Sequence, residues 1–197
     1  MSIKVILSVI GGILVGFFLE PDFIINHSDI IIDIGLCILL FFVGIDIGIN
    51  IDVLTKIKKI GFKILLIPFM IILGSVFGAI IAGFLLGFPV NESGAVGAGL
   101  GWYTLSSMML ANYSPELSTL SFLSNVVREI LALILIPIVA KYIGDLEAIA
   151  PSGATAMDTT LPIIAKATNP KTAIISFVTG VILSTSVPIL VPFMISL

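Results

Sequence analysis

Charge is what this sequence lacks. Of its 197 residues 11% are Asp, Glu, Lys or Arg, against roughly 25% in soluble domains, while 58% are hydrophobic and the mean hydropathy is +1.27. No core of ordinary size hides that much apolar surface, so a water-soluble globule is excluded and the solvent is lipid. A net charge of −3, with no run of like charge, leaves no basic field for a nucleic acid. The single cysteine, Cys37, has no second thiol to bridge to, and the single histidine, His27, stands among turn-like polar residues. A disulfide scaffold and a Cys/His zinc site are therefore excluded, and no cofactor or resident metal is expected.

Scarce charge makes its position informative. A membrane span needs about 20 mainly apolar residues, and the gaps between charged side chains supply five. They are 3–19, closed by Glu20, Pro21 and Asp22; 30–49, holding Asp33 and Asp46; 64–88, free of charge; 117–140, with adjacent Arg128 and Glu129; and 172–197, uncharged, where Pro188 and Pro192 predict a bend. The first lacks the small-residue cleavage site of a signal peptide. Two further stretches are apolar but rich in helix breakers. Residues 93–112 carry Gly94, Gly97, Gly99 and Gly101, each costing about 1 kcal/mol in a helix interior. Residues 150–165 carry Pro151, Gly153, Asp158 and Pro162 among threonines. Both predict loops with half-helices, which survive at membrane depth only inside protein or beside a water-filled cavity. The expected fold is an all-α polytopic membrane protein, one domain over 1–197, with about five transmembrane helices and two broken or re-entrant segments.

Charge bias orients this arrangement. If the first broken segment enters and leaves from outside and the second from inside, Lys4, Lys56, Lys58, Lys59, Lys63, Lys141, Lys166 and Lys171 all fall on the cytoplasmic side. The N-terminus is then inside and the C-terminus outside. Broken segments approaching from opposite faces are the arrangement of inverted repeats around a midplane site. The competing topology makes both segments full spans and moves only Lys141 outside.

Ionisable residues inside membrane segments are costly and mark function by default. Asp33 and Asp46 lie roughly 20 Å apart along a helix, so both cannot be central, and an interfacial position accounts for either. On the fourth span Ser121, Ser124, Asn125 and Arg128 share one helical face. Arg128 and Glu129 point about 100° apart, so each needs another partner, in an ion network or at a substrate or proton site. In GATAMDTTLP, Gly153, Thr155, Thr159 and Thr160 surround one acid, Asp158, suited to a cation or to capping the helix after it. In GLGWYTLSS, Trp102, Tyr103 and Ser106 follow a glycine-permitted close approach, the aromatics forming either a cation–π wall or an interfacial belt.

The stretches LLFFVGIDIG, GLGWYTLSS, NVVREILALILIPIV and SGATAMDTTLP, in this order and spacing, resemble the LysO-type lysine exporter family of prokaryotic cytoplasmic (inner) membranes. The resemblance implies a secondary transporter that expels L-lysine and close cationic analogues, with Glu129, the acid of the RE pair, as a functional intramembrane acid. Longer members carry extra N-terminal membrane helices, so the chain reads as a short form that a homo-oligomer or a small membrane partner completes. Gly74, Gly78 and Gly83, with Ala79 and Ala82 beside them, give the third span a face for close helix contact. Lysine carries two ammonium groups and a carboxylate, so its site needs acids and donors. Glu129, Asp158, Arg128, Asn125 and Asp46 are the candidates, and a proton competing for an acid gives lysine/proton antiport. A passive channel and an intramembrane aspartyl protease are the alternatives. The latter lacks both a GxGD signature and any spacing that pairs two acids.

Overall fold

The computed structural model describes residues 61–197 throughout, apart from the side chains of Phe62 and Lys63, together with isolated positions between 11 and 45. The spans expected over 3–19 and 30–49 cannot be followed on so few positions, and Asp33 and Asp46 lie outside the described residues. A short 3-10 turn, η1 (Phe62–Leu65), leads into α1 (Leu66–Leu86), then α2 (Val90–Ala98), α3 (Tyr103–Ala111) and α4 (Pro115–Tyr142). A second 3-10 segment, η2 (Glu147–Met157), precedes α5 (Leu161–Ala167) and α6 (Pro170–Ile195).

Local chemistry sets these boundaries. α1 stops at Gly87, which adopts φ 82° while the Phe88 N–H donates back to the Gly83 carbonyl at 2.9 Å, a left-handed glycine cap with Pro89 just beyond it. α4 and α6 begin on Ser-Pro and Asn-Pro. Ser114 Oγ accepts the Leu117 N–H at 3.3 Å, and Asn169 Oδ1 accepts the Thr172 N–H at 3.0 Å. Pro115 and Pro170 occupy the first turn, where no N–H is needed. These caps start both helices two residues ahead of the charge-gap reading, and α6 continues through Pro188 and Pro192.

Three described helices, α1, α4 and α6, are long and apolar enough to cross a membrane, matching the expected spans 64–88, 117–140 and 172–197. They are not equivalent. Over its most apolar window α6 is 56% buried, against 22% for α4 and 11% for α1. α6 is therefore the axis of the bundle, while α1 and α4 turn Phe69, Phe77, Phe84, Leu123, Ile130 and Ile134 outward, as lipid-facing helices do.

Both breaker-rich stretches are broken helices. α2 and α3 are separated at Leu100 (φ 51°) and Gly101 (φ 97°), and η2 is interrupted at Gly153 (φ 60°, ψ −131°). α2 runs back along α1, with Gly83 against Ser93 near the turn and Gly97 against Ser75 and Ala79 halfway down. α3 then returns. Ser118 Oγ donates to the Ser107 carbonyl at 2.8 Å, and the Tyr113 hydroxyl lies 3.5 Å from Glu92. Residues 90–111 thus form a hairpin whose arms start and finish at one end of α4. The second broken stretch does the same at the other end, about 40 Å away along α4 at 1.5 Å per residue. Asn169 Nδ2 donates to Asp145 Oδ2 at 2.5 Å, and Ser176 Oγ on α6 donates to the Ala156 carbonyl at 2.7 Å. The hairpin tips touch: the Ala154 N–H donates to the Leu100 carbonyl at 2.8 Å.

This geometry makes a labelling prediction. In a Cys37→Ser background, Asp145→Cys and Thr168→Cys are expected to react with an impermeant maleimide from the same membrane face. Reaction from opposite faces would require the intervening segment to cross.

Candidate functional site

A broken helix at mid-depth leaves amides and carbonyls without partners, and α4 supplies what is missing. Asn125, 4% exposed, accepts the Gly101 N–H on Oδ1 at 2.7 Å and donates through Nδ2 to the carbonyls of Ser121 (2.9 Å) and Val96 (3.4 Å). An amide side chain suits the place because it offers an acceptor and donors together. One turn away, Ser121 Oγ donates to Ser106 Oγ at 3.0 Å, and Ser106 donates to the Trp102 carbonyl at 2.9 Å. Arg128 serves the second hairpin. Its Nε and Nη2 donate to the carbonyls of Pro151 (3.3 Å) and Ala150 (3.4 Å), and its Nη1 to Ser75 Oγ at 2.7 Å. Ser75 in turn donates to the Gly97 carbonyl at 2.8 Å. The polar face of α4 read from the sequence therefore holds both hairpins open.

Glu129 leaves the helix in another direction. It is 3% exposed, and its charge acts on both Asp158 and the Tyr103 hydroxyl. The Tyr103 ring packs edge-on against Phe122 at 5.5 Å. The neighbouring Gly101 is bonded to Asn125, well inside α4, so Trp102 and Tyr103 lie beside the body of that helix and not at its ends. Asp158 is exposed, with Oδ1 accepting the Thr159 N–H. The cap position of α5 falls to Thr160 instead. Thr160 Oγ1 donates to the Thr155 carbonyl at 2.9 Å and Thr155 Oγ1 to the Ser152 carbonyl at 2.8 Å, so these two buried hydroxyls lock the turn, while Thr159 stays exposed beside Asp158. Gly153 forms the tip. Glu129, Asp158 and Tyr103 thus lie within electrostatic reach of one another, while Asn125, Ser106, Thr155 and Thr160 hydrogen-bond to backbone groups.

Comparison with known proteins bears on what this arrangement serves. A family model described as Lysine exporter LysO matches residues 6–195. The chain belongs to the LysO lysine exporter family. It is 30% identical over 190 residues to the lysine exporter LysO of Escherichia coli K12, covering 95% of this chain and 63% of that protein. It is 35% identical over 156 residues to a putative lysine exporter of Haemophilus influenzae, covering 79% of each. The chain thus spans just under two thirds of the E. coli relative. No solved structure matches.

LysO proteins form a transporter family, not an enzyme family. One site residue had no signal in the sequence. Ser75 stands alone in the uncharged run 64–88, and a lone serine in an apolar helix ordinarily bonds its own preceding turn. Only tertiary packing brings the Gly97 carbonyl of α2 and Arg128 of α4 to it.

Proposed function

We propose that this LysO-family chain exports L-lysine and close cationic analogues across the inner membrane in exchange for protons. The observation that carries the proposal is Glu129, an acid 3% exposed on a membrane-length helix, in electrostatic reach of Asp158 and beside two broken helices whose tips meet. Lysine separates a carboxylate from its side-chain ammonium. The acids Glu129 and Asp158 suit the ammonium groups, and the remaining N–H donors of Arg128, on a different side of α4, suit the carboxylate. A proton that competes with lysine for Glu129 releases the cation outside and resets the carrier.

The topology in this proposal has the hairpins 90–111 and 147–167 re-entering from opposite faces, as in inverted-repeat transporters. Lys141, Lys166 and Lys171 then mark the cytoplasmic end by the positive-inside rule. A homo-oligomer supplies further protein wall. Gly83 is taken up by Ser93 within the chain, but among the described residues nothing lies within 4 Å of a Cβ placed on Gly74 or Gly78, a small-residue face on α1 suited to a neighbouring helix.

The decisive experiment reconstitutes the purified chain in lysine-loaded liposomes and imposes a pH gradient. Uphill lysine movement that a protonophore collapses is the expected result. Downhill movement indifferent to the protonophore would mean a channel, and no lysine-dependent flux would remove the proposal.

A further inference from the structure

Two cavities reach the middle of the bundle from different ends. The larger, about 770 Å³, extends to Glu147 and Lys171, at the end where Asn169 bonds Asp145. The smaller, about 250 Å³, extends to Phe88 and Ser93, at the end where Tyr113 meets Glu92. Among the described residues, Ser75 and Arg128 line both. Between the cavities runs one hydrogen-bonded relay: the Arg128 guanidinium donates to the Ser75 hydroxyl, which donates to the Gly97 carbonyl.

We infer that the Arg128–Ser75–Gly97 relay is the gate between an inner and an outer vestibule, with Ser75 as its moving part. The relay needs a group that accepts from a cation and donates to a carbonyl at once, which a hydroxyl does and an apolar side chain does not. The partition is thin. A Cβ on Gly97 would meet Ala79 Cβ at 2.6 Å and the Ser75 carbonyl at 2.8 Å, so α2 lies directly on α1, and Ser75 and Arg128 are the side chains that face both cavities. Arg128 is anchored independently on the carbonyls of Ala150 and Pro151. Rotation of the Ser75 hydroxyl therefore opens the relay without releasing the second hairpin. The purpose of such a gate rests on the transport proposal, but its existence does not.

The test uses a reporter thiol in the full chain, in a Cys37→Ser background. Ser124→Cys lies in the smaller cavity and is expected to react with a small impermeant methanethiosulfonate from the Phe88 face only. Adding Ser75→Ala is expected to raise the rate from the opposite face by about tenfold, the shift that loss of one hydrogen bond of ordinary net strength allows. Ser75→Thr, which keeps the hydroxyl, is expected to restore one-sided labelling. An unchanged rate from the Phe88 face checks that each variant is folded. Ser75→Cys alone lines both cavities and is expected to react from either face. Two-sided labelling of Ser124→Cys with Ser75 intact, one-sided labelling after Ser75→Ala, or reaction of Ser75→Cys from one face only would each overturn the inference. Lysine flux in unlabelled vesicles is scored separately, so a chain that is gated but moves no lysine sinks the transport proposal and leaves the gate standing.

Discussion

Glu129→Gln is expected to bring lysine efflux down to the level of protein-free liposomes while the chain remains inserted and folded. The substitution keeps the size of the side chain and its capacity to hydrogen-bond, and it removes the charge and the titrating proton. A charge at mid-membrane costs about 2.5–3.5 kcal/mol on insertion scales, so an acid at 3% exposure is held there at the expense of stability. The insertion check is a monodisperse chain in detergent with unchanged helix content. Loss of efflux in a chain that passes it separates a coupling acid from one needed only for folding. Asp158→Asn, at an exposed position whose carboxylate accepts the Thr159 N–H, is expected to lower efflux less severely. Export by Glu129→Gln at the unsubstituted rate, measured by lysine release under an imposed pH gradient, would show that the acid is not the coupling group.

Gly153→Ala is expected to produce the largest structural loss among conservative substitutions. The backbone there has φ 60° and ψ −131°, open to glycine and strained for any residue with a Cβ. A methyl group at that point would stand 2.1 Å from the Leu100 carbonyl oxygen and 3.0 Å from Arg128 Nη2. Backbone strain of about 1–3 kcal/mol adds to loss of the Ala154-to-Leu100 hydrogen bond, worth about 1 kcal/mol. A fall of about 5–15 °C in the melting temperature follows for a chain of this size. Gly74→Ala and Gly78→Ala, where a Cβ meets nothing within 4 Å among the described residues, serve as controls and are expected to stay within about 1 °C. A Gly153→Ala protein as stable as these would mean that the tips do not meet as described.

The sequence was most legible where a single local property decides the outcome. Gaps between charges located α1, α4 and α6, and clustered glycines and prolines located both broken segments, because lipid tolerates neither charge nor unbonded backbone outside protein. The i, i+3, i+4, i+7 spacing on α4 put Ser121, Ser124, Asn125 and Arg128 on one face, of which Ser121 and Asn125 are buried and Ser124 and Arg128 partly so. Their partners were hidden. Whether an inward amide binds a solute or the Gly101 backbone depends on how α3 packs on α4, which periodicity does not encode. The same holds for Ser75, whose two hydrogen-bond partners lie 22 and 53 positions away in the chain. Asp158 shows the limit from the other side: its sequence suits a cap for the helix after it, yet the cap position falls to Thr160 and Asp158 is exposed in the turn before α5.

The meeting of the hairpin tips also fixes an order of assembly. The Leu100 carbonyl is made well before the Ala154 N–H that donates to it, by about 3–10 s at synthesis rates of 5–20 residues per second. α6, the most buried of the long helices, emerges later still. During that interval the first hairpin must wait beside α1 and α4 with its tip satisfied by water or by Asn125 alone. A newly made chain therefore passes through a half-closed stage in which the Leu100 carbonyl has been made and its donor has not.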